Sequence, residues 1–219
     1  MSYSEHQILR LSKKHNLSHI SSCLMAVSPI EAIYKIKKEN EPFILSNGHA
    51  GLALYTVLEQ WMKGSAEELY LKHGTHPNRD LKDGIYASTG SLGHGIGLAV
   101  GMALADRKRT VYVMISDGEC AEGSVWEALR IAGEQRLENL RVVVLCNGYS
   151  AYGSVDVDLL GQRLEMFYPS LVIKANMFNY PEFLQGLQGH YVVMNEEQYK
   201  KLKLPDNELT MLKKQEESY

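Results

Sequence analysis

The chain has 219 residues, 45% of them hydrophobic, and carries 23 Lys and Arg against 26 Asp and Glu for a formal net charge of −3. That length supports one large or two small domains with a sizeable core, and the interspersed charge excludes the basic stripe of a nucleic-acid binder. Three scattered cysteines (Cys23, Cys120, Cys146) form neither a disulfide framework nor a zinc-ligand pattern, and no stretch resembles a signal core or reaches membrane-spanning length, so a reduced, cytoplasmic protein is expected.

In chain order, residues 4–16 read as a first helix, with Ser4 as N-cap and Ile8, Leu9 and Leu11 on its apolar face. Ser28-Pro29 opens a second helix, with proline in its first turn. "FILSNGHAGLALYTVLEQWM" is a short apolar run, a turn at Ser46-Asn47-Gly48 and a long apolar helix. "GTHPNRDLKDG" reads as a loop, and "STGSLGHGIGLAVGMALADR" as a glycine-rich turn followed by a closely packed helix. "TVYVMIS" and "RVVVLCN" are continuous, β-branched apolar runs and therefore buried strands. The helical spacing of "GSVWEALRIAGEQRL" between them makes a crossover, hence a parallel pair. "SLVIKA" and "HYVVM" read as weaker strands, and "DNELTMLKKQEESY" as a polar helix fraying into a tail from about residue 205. With neither an internal repeat nor a linker, the expectation is a single domain over residues 1–219. Its architecture is three-layer α/β/α with a mainly parallel central sheet.

Ligands of such folds bind beyond the carboxyl ends of the strands. Asp117, followed by Gly118, and Asn147, followed by Gly148, fall at two such ends. A carboxylate and an amide oxygen are hard ligands that suit an octahedral Mg²⁺ shared with phosphate oxygens, and the helix after Gly118 turns its N-terminus to the same rim. Asp-Gly and Asn-Gly are equally ordinary turn dipeptides. On physics alone the two readings stand level.

"SDGECAEG…CNGYSAYG" resembles the thiamine-diphosphate signature, with Asp117 and Asn147 thirty positions apart. "SNGHAGLALY", "STGSLGHGIGLAVGMALA" and "DGECAEGSVWEALRIAG" are similar, in order, to blocks of the diphosphate-binding half of transketolase, from about Ser18 to Gly153. The resemblance implies a metal, Mg²⁺ or its equivalents Ca²⁺ and Mn²⁺, held by Asp117, Asn147 and the carbonyl of Tyr149. It sets Gly118 and Glu119 at the cofactor and Gly90 and Leu92 at its aminopyrimidine. His49 lies near cofactor and substrate, His76 and His19 face the sugar, and His190 matches a late histidine near the diphosphate. Glu122 and Glu127 match acids that connect paired active sites across a dimer interface. Ser116 stands where the family has glycine, "SHISS" lacks the two glycines that follow the family's histidine, and the region after Gly153 is short.

The resemblance also implies a function: transfer of a two-carbon ketol unit from a ketose phosphate to an aldose acceptor. The family's activating Glu belongs to a pyrimidine-binding domain that these residues do not match. The expectation is thus a first subunit of a split transketolase, paired in an α2β2 assembly with a separate subunit that supplies this Glu. Two further readings stand beside it: a related carbon–carbon ligase, of deoxyxylulose-phosphate synthase or acyloin-forming type, and a non-catalytic relative.

Overall fold

The computed structural model describes residues 1–62, 64–150, 152–175 and 177–202, so the C-terminal helix and tail read from the sequence lie outside the described residues. Helix α1 (Tyr3–Lys14) is capped by Ser2, not Ser4. The Ser2 hydroxyl accepts from the Glu5 N–H while the Glu5 carboxylate accepts from the Ser2 N–H, and this capping box fixes the start two residues early.

Helix α2 (Ile20–Ile36) begins well before the Ser28-Pro29 start read from the sequence, and Pro29 lies in its interior. A proline inside a helix costs about 3 kcal/mol. Against this, Ile20, Leu24, Val27 and Ile30, spaced three and four apart, are each at most 3% exposed. Each such burial contributes about 1.5–3 kcal/mol, so packing outweighs the break.

Strand β1 (Phe43–Leu45) leads through the Ser46–Gly48 turn to α3 (Gly51–Trp61), as read. Helix α4 (Ala66–His73) was not read from the sequence, although Ser65 and Glu68 form a second capping box. Then follow α5 (His94–Ala105), β2 (Val111–Ser116), α6 (Gly123–Glu134), β3 (Leu140–Cys146), the small hairpin β4 (Tyr149–Ser150) and β5 (Gly153–Ser154), α7 (Val157–Phe167) and β6 (Leu171–Lys174). The "HYVVM" segment is not a strand: His190 and Tyr191 end helix α8 (Gly186–Tyr191), and an irregular stretch leads to α9 (Glu196–Lys200).

The main sheet is parallel, in the order β1-β2-β3-β6. Its register sorts side chains onto two faces. Leu45, Met114 and Val143 lie abreast and pack with α1, α2 and α3. Ile44, Val113 and Val142 form the neighbouring row on the opposite face and pack with α5, α6 and α7. A parallel sheet covered on both faces must be apolar on both, which is why β2 and β3 read as continuous rather than alternating runs.

Helix α5 approaches the end of β1 at Gly95, where a Cβ would stand 2.7 Å from the Ser46 Cα. Neither backbone can yield without moving the strand end. Gly95→Ala is therefore expected to destabilise the fold by about 1–3 kcal/mol, read as a lowered melting temperature, whereas Gly97→Ala, whose Cβ meets nothing within 4 Å, should raise or preserve it.

Candidate active site

Three strand ends converge on one rim. Asp117 follows β2 and is 2% exposed. Its Oδ2 accepts the N–H groups of Asn147 (2.9 Å) and Gly148 (2.7 Å), and its Oδ1 accepts that of Gly118 (3.0 Å). The turn after β3 is thereby tied to the end of β2. Burial pushes the Asp117 carboxyl above the ordinary carboxylate range, and the three backbone donors pull it back. The Asn147 Oδ1 accepts the Tyr149 N–H at 2.9 Å. The Tyr149 carbonyl oxygen lies 3.7 Å from where a Gly118 Cβ would stand, so it faces the same turn.

Glu119 is fully enclosed. Its Oε1 accepts from the Ser46 hydroxyl (2.6 Å) and the Gly93 N–H (2.9 Å), and its Oε2 accepts from the Ser116 N–H (3.0 Å). The Glu119 carboxylate is bonded to these protein donors, and Glu119 is not among the residues that line the cavity described below. It joins the ends of β1 and β2 to the glycine-rich turn before α5. The Thr89 hydroxyl adds a bond to the Leu45 carbonyl at 2.7 Å. Trp126, which no sequence motif claims, donates its indole N–H to the Cys120 carbonyl at 2.8 Å and braces the turn from outside.

A cavity of about 290 Å³ opens at this rim. Among the residues singled out from sequence, His19, His49, His76, Leu92, Asp117, Gly118, Asn147, Tyr149 and His190 line it. Gly90 lies beneath His76, where a Cβ would stand 2.9 Å from the ring, and its φ of +145° favours glycine. Glu122 caps α6 and Glu127 is exposed on that helix; neither enters the cavity, and His94 is exposed as well. Sequence reasoning missed Asn47, Ser22 and Tyr191 in the wall, although Asn47 sits two positions before His49 in a quoted block. Cys23, Cys120 and Cys146 are buried, and burial raises each thiol, Cys23 and Cys146 to about 12.

Three imidazoles cluster at one wall. The His19 and His190 ring centroids are 4.3 Å apart, those of His49 and His190 5.1 Å, and those of His19 and His49 5.3 Å. Burial, reinforced by the neighbouring imidazoles, lowers His19 to about 4 and His49 to about 3, and burial also lowers His190. All three are neutral at neutral pH, so they offer hydrogen bonds and proton acceptance rather than charge.

Two other features are not this site. A groove of about 890 Å³ lies at the amino-terminal halves of β3 and β6, against Ile33 and Ile36 of α2, where the sheet brings no cluster of chemical groups together. His73, Asp80 and Asp83 gather at metal-binding spacing, but Lys72 Nζ already bridges Asp80 (2.8 Å) and Asp83 (2.7 Å) and offsets part of their charge.

The residues present fit a diphosphate cofactor with a divalent cation. Asn47 Oδ1 and His19 Nδ1 are buried without a protein partner, in a cavity wall that can supply one through a ligand. Asp117, Asn147 and the Tyr149 carbonyl form a hard oxygen set beside Gly118.

The fold and rim define a three-layer α/β domain with a cavity at the carboxyl ends of its parallel strands. Residues 31–168 match the family model described as transketolase, thiamine diphosphate binding domain. The chain belongs to the transketolase family. It is 32% identical over 199 residues to a 6-deoxy-6-sulfo-D-fructose transketolase subunit of Clostridium sp. (strain MSTE9), a match that covers 81% of this chain and 68% of that one. It is 35% identical over 119 residues to an apulose-4-phosphate transketolase subunit of Actinobacillus succinogenes, covering 49% and 43%. The chain spans about half the length of several curated relatives, 50% of an uncharacterised transketolase family protein of Sinorhizobium fredii among them. In fold it is similar to transketolase from Leishmania mexicana (TM-score 0.69, 20% identity, 96% of this chain and 42% of that one) and to a transketolase mutant from Pichia stipitis (TM-score 0.76, 21% identity, 96% and 42%). Among the described residues, no helix is long and apolar enough to cross a membrane.

His49 carries a pH prediction. A free imidazole near 6.5 takes up a proton on acidification that the folded His49, at about 3, refuses. The unfolded state then binds more protons, and stability falls as pH drops below about 6.5. At pH 5 the cost from His49 is about 2 kcal/mol. Asp117 and Glu119, raised by burial, act in the opposite sense, so the comparison is made against a variant. Between pH 7 and 5, His49→Asn is expected to lose less melting temperature than the wild type; equal losses would remove His49 as the source.

Proposed function

We propose that the chain is the diphosphate-binding subunit of a two-subunit, thiamine-diphosphate-dependent transketolase that moves a two-carbon ketol unit from a ketose or ketose phosphate to an aldose. The observation that supports it best is the single cavity in which Asp117, Asn147 and Tyr149 meet His19, His49, His76 and His190. When bound, the cofactor supplies the carbon centre that accepts and releases the ketol unit.

This chain's residues would do the rest. Asp117, Asn147 and the Tyr149 carbonyl hold a divalent cation, Mg²⁺ by the hardness of the donors, and Gly118 leaves room for the diphosphate. Leu92 and Gly90 border the aminopyrimidine side. His49, His19 and His76 hydrogen-bond the oxygens of donor and acceptor and exchange protons with them, which neutral imidazoles in a desolvated wall are suited to do. His190 reaches the same wall near the diphosphate. Glu122 and Glu127, outside the cavity, remain candidates for contact between paired sites.

Two observations support a partner subunit. Asp117 is the one carboxylate among the described lining residues, so the activating Glu would come from a second chain carrying the pyrimidine-binding domain. Tyr149, Leu187 and Tyr191 line the cavity and are 41%, 42% and 62% exposed, an apolar mouth suited to a covering surface. Two relatives are themselves named as transketolase subunits. An α2β2 assembly in the cytoplasm completes the reading.

Two experiments test it. Asp117→Ala should weaken Mg²⁺-dependent thiamine diphosphate binding, measured by calorimetry on the assembled complex, by about 100-fold, or about 2.8 kcal/mol. Asp117 also accepts three backbone N–H groups, so the fold of the variant is checked by circular dichroism, and Asp117→Asn, which keeps a side-chain oxygen but not the charge, is measured beside it. Unchanged affinity removes the metal assignment. Purified chain alone is expected to show no ketol transfer, and a chain bearing the pyrimidine-binding domain should restore it. Full turnover by this chain alone rejects the split arrangement, and activity with pyruvate but not with a ketose phosphate rejects the donor class.

A further inference from the structure

The residues after the His19 position differ from the glycines expected there, and one of them makes a contact across the molecule. Ser22, in the first turn of α2 and 5% exposed, has its Oγ 2.9 Å from Nδ1 of His190. Beside it the His19 N–H donates to the His190 carbonyl at 2.9 Å, and the two rings meet edge to face at 4.3 Å. The start of α2 is thus the seat on which α8 is fixed, joined across 168 positions of sequence.

The direction of the Ser22 bond follows from proton accounting. A serine in a helix often donates to the carbonyl four residues back, but no bond to Ser18 is formed. If His190 Nδ1–H donated to the hydroxyl, the nearly buried hydroxyl proton would have no protein acceptor among the described residues, and an unsatisfied donor is costly. The hydroxyl therefore donates, and Nδ1 accepts. The single proton of the neutral ring must then sit on Nε2, which has no protein partner among the described residues.

We infer that Ser22 is a positioning residue: its hydroxyl fixes His190 as the Nε2–H tautomer, so that this imidazole presents a hydrogen-bond donor to an anionic or carbonyl oxygen in the cavity. The inference rests on the proposed ketol-transfer reading only for the identity of that oxygen. At a glycine the ring would choose its tautomer freely. Here the choice is made before any ligand arrives, so ordering it costs nothing on binding.

Histidine tautomers are read directly by long-range ¹H–¹⁵N correlation on the isolated, ¹⁵N-histidine-labelled chain at neutral pH, with His190→Gln assigning the signal. Wild type and Ser22→Thr, which keeps the hydroxyl, are expected to give the Nε2–H pattern. Ser22→Val, nearly the same shape without the hydroxyl, and Ser22→Ala, which needs no added space, are expected to give mixed tautomers. An Nδ1–H pattern in the wild type, or an unchanged Nε2–H pattern in both Ser22→Val and Ser22→Ala, overturns the inference. The readout is independent of turnover: an assembled complex without ketol transfer would defeat the functional reading and leave the tautomer result standing.

Discussion

The site depends on a nearly buried carboxylate at the edge of a cavity. Asp117 is sequestered at the end of β2, and its oxygens take three backbone N–H groups, two of them from the turn after β3. Without that bond set the Asn147 turn would have no fixed relation to the Asp117 turn, and the candidate metal ligands would not share a centre. Glu119, two residues on, does the same for the other side of the rim by binding Ser46, Gly93 and Ser116. Two neighbouring carboxyls, both raised by burial, are an electrostatic cost to the empty fold at neutral pH. They divide the labour unequally. Glu119 has three protein donors and is fully enclosed, which fixes the rim around it. Asp117 also has three, yet it lines the cavity, where a divalent cation would offset its charge.

The histidines follow a different logic. Their wall is low in polarity, and burial keeps them neutral. Three protonated imidazoles with centroids 4.3 to 5.3 Å apart would repel one another, so a charged cluster is not available to this geometry. A neutral imidazole is both donor and acceptor, which suits a substrate whose hydroxyl and carbonyl oxygens exchange protons near neutral pH. In the proposed reading a cation at the Asp117 end would meet the diphosphate, and neutral hydrogen bonds at the other end would meet the sugar.

The part of this legible in sequence is the part made by local chemistry. Continuous β-branched runs gave β2 and β3, a glycine- and alanine-rich stretch gave α5, helical spacing gave α6, and Asp117 and Asn147 fell at strand ends because parallel crossovers place them there. What escaped was decided by packing. Pro29 reads as a helix start by its own φ preference, yet α2 runs through it because the residues before it bury their side chains in the core. His190 and Tyr191 look like a strand opening by β-propensity, but they are held against α2 as the end of a short helix. Glu119 is indistinguishable in sequence from a cofactor ligand, since only the arrival of Ser46 and Gly93 from distant segments spends its oxygens. Helix α4 is marked in sequence only by its capping box at Ser65 and Glu68, a signal shorter than the apolar runs around it.

His190 shows how the site's two ends are tied by the fold. The histidine wall is assembled from near the beginning of the described chain, His19 and Ser22, and from near its end, His190, while the rim between them is built on β1, β2 and β3. His19 itself holds a left-handed backbone with φ 61°, a conformation few non-glycine residues adopt without compensation. Its own N–H, bonded to the His190 carbonyl, and its ring, packed on the His190 ring, are that compensation. Strain at His19 and the docking of α8 therefore stand or fall together. A loose α8 would leave His19 free to relax, and a relaxed His19 would remove the seat for His190. The geometry of two of the three clustered imidazoles is in this sense one structural variable, set by a contact between segments that no local pattern connects.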